Sequence, residues 1–408
     1  MVMTGEDEIE ISGESGGFNA TESYTRLGAV DGIDGPGQGE AFTKGAFTLQ
    51  SPQEFRDDFS AAMGRATEQV GLETMQFELC DDTQPIFDGL TSAKQRGVAD
   101  VRFHYDRVAL RHIRAGEDEA LVFKGRTVFH KGDKAALRKA NTGRELLVGE
   151  MEADQIADPA FKKRGSDKRL SHNHVKLAIA DGAAWFGTMN LRALDFEMSN
   201  FMVKVSDPES VAVLKEVFDQ TEAPTLGDDK VFVMNNGESD EEVMFLVDSG
   251  VKGQSVIYDK ALDMAASLRE GDKFVMISQW PPVKAVYGGF SKKLQAKLQE
   301  GVRGTFLLSP AQDLHPSGRA SRALQEQVDN MQARNPTMTA ENLARKTHAK
   351  AFLIERVNGE REVLFGSHNL TSWTVRNGTR ELAMWTKDPE VVAQISEFLD
   401  DVREEKPA

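Results

Sequence analysis

Two short segments combine histidine with lysine at the same spacing. His174 precedes Lys176 by two residues, and His348 precedes Lys350 by two residues. Side chains alternate between the faces of a β-strand, so on an extended segment each histidine and its lysine project from one face. Imidazole can be a nucleophile in one protonation state and an acid in the other near neutral pH. With two lysines to hold phosphoryl oxygens, these side chains predict hydrolysis or transfer of a phosphodiester.

An acid follows each lysine after four intervening residues. It is Asp181 in the first segment and Glu355 in the second. Asp181 lies seven positions after His174, an odd offset, so on an unbroken strand it points away from the histidine. We therefore expect this acid to hold the strand end or the turn.

A glycine-containing segment comes next in both places, at Gly187–Asn190 and at Gly366–Asn369. Each is predicted to lie on a neighbouring strand with its polar side chains on a common face. Its glycine lets an anionic ligand approach the backbone closely. The hydrogen-bond donors of these segments are Thr188, Asn190, Ser367 and Asn369.

Helix and strand signals precede both segments in the same order. A helix that starts at Ser51–Pro52 carries an apolar stripe over 55–70 and is followed by a predicted strand over 72–79. A second helical stripe over 258–268 precedes a predicted buried strand over 274–277. This alternation of helix and strand is typical of an α/β fold.

The chain is a duplicated unit. In both halves a further helix ends at a glycine, Gly97 or Gly301, that suits the left-handed position closing a helix. Residues 206–220 and 387–401 align without a gap. The predicted divisions are an acidic, glycine-rich flexible segment at 1–50, a first domain at 51–222, a linker at 223–229 and a second domain at 230–404.

The paired pattern H-x-K-x4-D, each copy followed by G-[ST]-x-N, resembles the phospholipase D superfamily over about residues 51–404. Its spacing is most like that of cardiolipin synthase and phospholipase-D-like proteins. Three features depart from the family pattern: Glu355 replaces an aspartate, Thr188 replaces the more usual serine, and ten residues rather than five separate Glu355 from Gly366.

The resemblance implies two pseudo-symmetric halves, each a mixed β-sheet flanked by helices, with one active site at their interface. It implies that His174 forms a phosphohistidine and that His348 protonates the leaving group, although the residues alone leave open which histidine attacks. The implied catalytic residues are His174, Lys176, Asp181, His348, Lys350 and Glu355. The implied phosphate-binding and supporting residues are Thr188, Asn190, Ser367, Asn369 and Glu381. No metal ion or other cofactor is implied.

A glutamate follows G-S-x-N in the family, and Glu381 occupies that place in the second half. In the gapless alignment its first-half counterpart is Asn200, while Glu197 takes the place if the alignment slips. We expect Glu381 to orient a histidine and Asn200 to keep only a hydrogen bond.

Composition limits the function classes. There are 65 Asp and Glu residues against 49 Lys and Arg, a net charge of −16, which argues against a general nucleic-acid coat protein. Cys80 is the only cysteine, so an intramolecular disulfide and a cysteine-cluster metal site are excluded. With no apolar stretch of about 18 residues and no secretory signal, we expect a cytoplasmic protein that reaches membranes only peripherally.

The substrate class stays open at this point. A basic run at 162–169 and the pair Arg345–Lys346 precede the two histidines, and positive charge there fits a phospholipid headgroup or a nucleic acid. An aromatic loop at 279–287 could rest on lipid, cover the site or stack on bases. The favoured prediction is a phosphodiesterase or phosphatidyltransferase acting on phospholipids, with one chain sufficient for a complete site. The alternative is a nuclease that cleaves DNA or RNA, and an inactive binding module is disfavoured because both histidines and both lysines are present.

Overall fold

The computed structural model describes residues 45–77, 80–105, 121–123, 126–129, 156–157, 173–221, 227–235, 242–283, 287–314 and 318–405. Most of the predicted flexible segment, the basic run at 162–169 and part of the predicted linker lie outside these residues.

Seven strands form the first of two large mixed sheets. They are β1 (Phe47–Gln50), β2 (Gln69–Thr74), β3 (Asp100–Tyr105), β6 (Ile156–Ala157), β7 (Leu177–Ala180), β8 (Ala183–Gly187) and β9 (Met202–Val205). Their spatial order is β1-β9-β8-β7-β2-β3-β6. A separate two-stranded sheet pairs β4 (Leu121–Phe123) with β5 (Arg126–Phe129).

Eight strands form the second large sheet. They are β10 (Lys230–Asn235), β11 (Glu242–Asp248), β12 (Lys273–Ser278), β13 (Arg303–Leu308), β14 (Met338–Asn342), β15 (Ala351–Glu355), β16 (Arg361–Gly366) and β17 (Glu381–Thr386). Their spatial order is β10-β11-β17-β16-β15-β12-β13-β14.

The two sheets share one topology. The strands β2, β3 and β6 run parallel to one another, as β12, β13 and β14 do, and the remaining neighbours are antiparallel. The second sheet differs by one additional edge strand, β10. The predicted α/β fold of two related halves, each a mixed sheet with flanking helices, is confirmed.

Helices connect and cover the strands. They are α1 (Pro52–Arg65), α2 (Gln84–Arg96), α3 (Ala193–Glu197), α4 (Pro208–Gln220), α5 (Val256–Ser267), α6 (Gly289–Gln299), α7 (Gly318–Arg334), α8 (Ser372–Asn377) and α9 (Pro389–Glu404), with a single 3₁₀ turn at Ala311–Asp313 among the described residues. The predicted start of α1 is confirmed, because Ser51 and Glu54 form a reciprocal capping box. The predicted left-handed glycines are also confirmed, with φ of 84° at Gly97 and 93° at Gly301.

Two boundaries differ from the sequence expectations. Ordered structure begins before Ser51, because β1 pairs with β9 and buries Phe47 in the core. The strand expected over 72–79 lies instead at 69–74. Its antiparallel partner β7 begins opposite Glu73 and its parallel partner β3 ends opposite Thr74, so residues 75–77 join no ladder apart from an isolated bridge at Phe77.

The two halves share one hydrophobic core. A single cluster of buried residues includes side chains from both sheets and from α4 and α9. At its centre the ring of Phe186 lies 5.7 Å from the rings of Phe245 and Phe365, both of the second half. Both sheets bury one face against this core, so the core fixes the position of one sheet relative to the other. In the described part of the chain, no helix combines the length and hydrophobicity needed to cross a membrane.

Candidate active site

The two histidine–lysine segments meet where the halves join. Each lies just before a strand, β7 or β15, and not within it as expected. The lysines still turn back toward their histidines: Nζ of Lys176 donates to the carbonyl of His174 at 2.6 Å, and Nζ of Lys350 donates to the carbonyl of His348 at 2.5 Å. The imidazole centroids lie 6.3 Å apart with the rings nearly perpendicular, and both histidines are 7% exposed.

Main-chain hydrogen bonds cross between the halves at this point. The N–H of His174 donates to the carbonyl of Arg380 at 2.9 Å, and the N–H of His348 donates to the carbonyl of Ser199 at 3.3 Å. The His174 segment therefore bonds to the residue before β17, and the His348 segment bonds to a residue shortly before β9. This reciprocal arrangement is what pseudo-two-fold symmetry requires.

A buried carboxylate orients His174. Nδ1 of His174 lies 2.8 and 3.0 Å from the two carboxylate oxygens of Glu381, which comes from the other half. Ser367 Oγ donates to Glu381 at 2.5 Å and accepts from the N–H of Leu382 at 2.9 Å. Burial raises the pKa of the Glu381 carboxyl. The nearby charges of Lys176 and Lys350 act in the opposite direction. The position expected for Glu381 agrees with this contact.

His348 has a different partner. Its Nδ1 lies 2.9 Å from the carbonyl oxygen of Thr188, so Nδ1 must carry the proton and Nε2 faces the site. Burial and the charges of Lys350 and Lys176 hold the pKa of His348 well below its usual value. Burial and Lys176 likewise lower the pKa of Lys350.

The acid beside His348 is Asp195, which the sequence reasoning missed. Its carboxylate is fully buried, lies 3.7 Å from Nδ1 of His348, and accepts from Arg192 at 2.6 Å and from the N–H of Asn190 at 3.2 Å. The repeat gave no signal for it, because the aligned residue of the second half is Thr374.

Asn200 and Glu197, which the sequence offered as first-half counterparts of Glu381, do not take the place of Asp195 beside His348. Asn200 accepts from Thr188 Oγ1 at 3.3 Å and donates to the carbonyl of Asp195 at 2.9 Å, so it keeps only hydrogen bonds, as expected. It thus matches Glu381 in position but not in contact with a histidine. Glu197 is exposed on α3, and the structure gives it no place beside His348.

The remaining polar residues of the predicted site line its base. Thr188 and Ser367 are fully buried and bond to the strands behind them. Oδ1 of Asn190 and Oδ1 of Asn369 are buried atoms without a hydrogen-bond partner in the described part of the chain. Because an amide can rotate by half a turn, either group can present N–H donors at that position to a phosphoryl oxygen.

The two acids of the motifs, which were predicted to be catalytic, lie at the far ends of β7 and β15, and the structure does not bring them together with the histidines. Asp181 sits in the turn after β7 with φ of 44°, and its carboxylate accepts from the N–H groups of Thr67, Glu68 and Gln69 at 2.9–3.1 Å. Burial opposes ionisation there, but these donors lower the pKa of Asp181. Glu355 at the far end of β15 is 43% exposed at its side chain and pairs with Lys273 at 2.9 Å.

The described residues of the aromatic loop, at 279–283 and 287, are buried or half-buried. Tyr287 is 1% exposed and Trp280 packs against the core. Large apolar side chains are exposed elsewhere: Leu194 is 40% exposed and Trp373 is 62% exposed, each four residues after a site asparagine in its own half. The exposed pair therefore occupies equivalent positions of the two halves, near the starts of α3 and α8. Among the described residues, no group of three or more His, Cys, Asp or Glu side chains is arranged to hold a metal ion.

Comparisons with known proteins bear on the fold. No protein-family model matches the sequence, and no curated protein matches it either. The structure is similar to phosphatidylserine synthase from Haemophilus influenzae Rd KW20, with a TM-score of 0.64 at 12% identity over 89% of this chain and 87% of that chain. It also matches yeast tyrosyl-DNA phosphodiesterase, with a TM-score of 0.43 at 13% identity over 83% and 89% of the chains. A phospholipase D family member, Nuc from Salmonella typhimurium, matches with a TM-score of 0.30 at 18% identity over 40% of this chain and 94% of that chain. At such identities the first likeness shows a shared fold.

Proposed function

We propose that the chain is a metal-independent phosphodiesterase or phosphatidyltransferase that works through a phosphohistidine intermediate. The observation that carries the proposal is the meeting of His174 and His348, 6.3 Å apart between ring centroids, with Lys176 and Lys350 beside them. Two imidazoles at this separation can flank one phosphorus atom. Because these side chains supply nucleophile, acid and positive charge, the proposed reaction needs no metal ion.

In the first step Nε2 of His174 attacks phosphorus, and the bond from phosphorus to the leaving alcohol oxygen breaks. Glu381 supports this role, because a carboxylate that holds the Nδ1 proton leaves the lone pair on Nε2. The carboxylate also stabilises the positive charge that the imidazole gains as the nitrogen–phosphorus bond forms. His348 donates its Nε2 proton to the leaving oxygen.

In the second step His348 accepts a proton from water or from an acceptor alcohol. The oxygen attacks phosphorus, and the bond between phosphorus and His174 breaks. Water gives hydrolysis and an alcohol gives transfer. The lowered pKa of His348 suits its role as base here; for the first step, an anionic phosphodiester between the lysines offsets their charge and raises that pKa.

The lysines hold the phosphoryl oxygens in this proposal. An ammonium group has three donors, so Lys176 and Lys350 can direct N–H groups from the histidine carbonyls toward a bound phosphate. Burial makes an unneutralised pair of ammonium groups unfavourable, and the site is therefore poised to take up an anion.

We propose phospholipids as the substrate class. Leu194 and Trp373 support this choice, because exposed apolar and tryptophan side chains favour the interface between a bilayer and water. The fold shared with a phosphatidylserine synthase supports it by analogy alone. An exposed tryptophan also stacks on nucleotide bases, so a nuclease that cleaves DNA or RNA is the alternative.

One experiment separates these possibilities. Purified protein in EDTA is offered phosphatidylglycerol vesicles and single-stranded DNA side by side, with His174→Ala as the control. We expect turnover of the lipid, no cleavage of DNA, and no activity in the variant. Cleavage of DNA without lipid turnover would replace the favoured substrate by the alternative. Activity that survives His174→Ala, or that EDTA abolishes, would overturn the mechanism.

A further inference from the structure

Five polar side chains form a buried cluster behind His174, here called the interface cluster. Four come from the first half and one from the second, and each is no more than 2% exposed. They are Glu73 on β2, His104 on β3, Asn173 before His174, Thr221 after α4, and Arg380 before β17.

Glu73 lies at the centre of the interface cluster. Its carboxylate accepts from Asn173 Nδ2 at 2.7 Å and from Thr221 Oγ1 at 3.0 Å. Nε of Arg380 lies 3.7 Å away and Nδ1 of His104 lies 4.0 Å away. Burial opposes ionisation of Glu73, yet the nearby His104 and the charge of Arg380 lower its pKa. The centre of the cluster is therefore a buried ion pair between the two halves.

The interface cluster is adjacent in sequence to both members of the orienting pair. Asn173 immediately precedes His174, and Arg380 immediately precedes Glu381. The main chains of Asn173 and Arg380 form an isolated bridge, and the N–H of His174 donates to the carbonyl of Arg380. A shift of Arg380 therefore moves the backbone that carries Glu381 relative to the imidazole that its carboxylate contacts.

The second half has no charged equivalent. The residue before His348 is Thr347, whose hydroxyl donates to the carbonyl of Ser199 at 3.0 Å and whose carbonyl accepts from Ser309 at 3.2 Å. By strand register the position of Glu73 corresponds to Ile277, since each pairs with the first strand residue after the motif lysine. The ion pair between Glu73 and Arg380 thus lies behind His174, and His348 has no equivalent pair.

We propose that Glu73 and Arg380 are positioning residues that set the alignment and the protonation of His174 through Glu381. This inference rests on the proposed phosphodiester reaction. A buried ion pair adds little net stability compared with apolar side chains, but removing one partner leaves an uncompensated charge. Such a charge next to the site acts on the imidazole through a medium of low dielectric.

Charged and titratable groups of both halves surround His174 and the interface cluster. They are Lys176, Glu73 and His104 of the first half, and His348, Lys350, His368, Arg380 and Glu381 of the second. Replacing Glu73 by glutamine leaves Arg380 uncompensated and lowers the pKa of His174. Replacing Arg380 by methionine leaves Glu73 uncompensated and raises it. The double variant restores neutrality, so its pH dependence returns toward that of the unmodified protein.

The test compares Glu73→Gln, Arg380→Met and the double variant in the full chain, with a soluble aryl phosphodiester from pH 5 to 9. We expect each single change to lower kcat at least about tenfold with little effect on KM, as for loss of a contact that orients a reacting group. The acidic limb of kcat/KM moves to lower pH for Glu73→Gln and to higher pH for Arg380→Met, by about half a pH unit or more. The conservative Arg380→Lys keeps the wild-type pH dependence.

Arg356→Met is the matched control, because Arg356 also lies in an ion-pair network, with Asp272 and Glu362, away from the site. A purely structural role would lower the Tm of both arginine variants and leave both pH profiles unmoved, which would overturn the inference. NMR titration of the His174 imidazole in the same variants separates this outcome from failure of the proposed function. If no phosphodiester is turned over, the opposite shifts of the His174 pKa still decide the role of the interface cluster.

Discussion

Neighbouring groups give two identical side chains different properties. His174 faces a carboxylate within hydrogen-bond distance, whereas His348 faces a main-chain carbonyl and has Asp195 only at 3.7 Å. A carboxylate stabilises a charged imidazole, while a carbonyl fixes the tautomer of a neutral one. The near symmetry of the two motifs is therefore broken by the residues around them.

Replacing Glu381 by glutamine tests the orienting contact. The amide keeps the size of the side chain but no longer stabilises positive charge on His174, so we expect kcat to fall about 100-fold or more with KM little changed. The measurement is steady-state hydrolysis of a soluble phosphodiester at saturating substrate.

Glu197→Gln provides the matched control for that measurement, because Glu197 is an exposed glutamate near the site on α3. Its kinetics should equal those of the unmodified protein. Equal losses in the two variants would mean that the effect comes from overall charge and not from the contact with His174.

The imidazole of His348 should titrate below pH 6.5 in the protein without substrate. Burial and two lysines disfavour its charged form, and the unfolded chain has no such restraint. Between the folded and unfolded pKa values the unfolded state binds more protons, so this group destabilises the fold as pH falls through that window. NMR titration, assigned with His348→Ala, measures the shift, and a midpoint at or above 6.5 would contradict it.

The sequence could predict the site residues that the repeat displays twice, and one more from its place in the family pattern. The histidines, the lysines and Glu381 stand at equivalent or family-typical places, and the structure brings them together. Asp195 has no counterpart in the second half, and its importance arises only when the chain folds it toward His348. A residue that acts through one long-range contact leaves no periodic signal.

At the scale of single elements, the separation of Asp181 from His174 was predictable, but its cause differs from the expected alternation of side chains. His174 lies before β7 and Asp181 lies in the turn after it, so the length of the strand separates them. There Asp181 holds the start of β2 through the N–H groups of Thr67, Glu68 and Gln69. The acid of the motif thus fixes the strand that precedes the site.

Replacing Asp181 by alanine should destabilise the fold without changing the chemistry. Loss of a charged acceptor shared by three N–H groups, those of the exposed Thr67 and Glu68 and of the half-buried Gln69, costs about 1.5–3 kcal/mol, and a positive φ disfavours alanine as well. Because the pKa of Asp181 is lowered in the folded protein, its contribution to the free energy of unfolding is present above the pKa of the unfolded chain. This contribution is lost as the pH falls through the folded pKa. Urea unfolding at pH 7 and at pH 3 measures the difference. Reduced kcat at unchanged stability would contradict the structural role.

For the whole molecule, the duplication was visible because aligned segments such as 206–220 and 387–401 keep their spacing. The division into domains at 51–222 and 230–404 stays a prediction. What the sequence could not supply is how the halves meet, since the contacts of Arg380 and Ser199 depend on packing between residues far apart in the chain. The same reason hides β1, whose pairing with β9 draws residues 47–50 into the first sheet.

The placement of exposed apolar side chains on the whole molecule predicts where it meets its substrate. Trp373 and Leu194 lie at equivalent positions of the two halves, near the starts of α8 and α3 that follow the site asparagines, whereas the exposed Val357 lies after β15, at the opposite end of that strand from His348. Burying a tryptophan and a leucine at a bilayer surface stabilises binding by a few kcal/mol, or about 10- to 1000-fold in affinity.

We expect Trp373→Ala with Leu194→Ala to lose binding and turnover of phosphatidylglycerol vesicles while keeping turnover of a soluble phosphodiester. Val357→Ala should keep both, since Val357 lies at the end of β15 away from His348. Vesicle sedimentation and parallel kinetics measure the two properties, and loss of DNA cleavage with unchanged lipid turnover in the double variant would assign the exposed pair to nucleic acid instead.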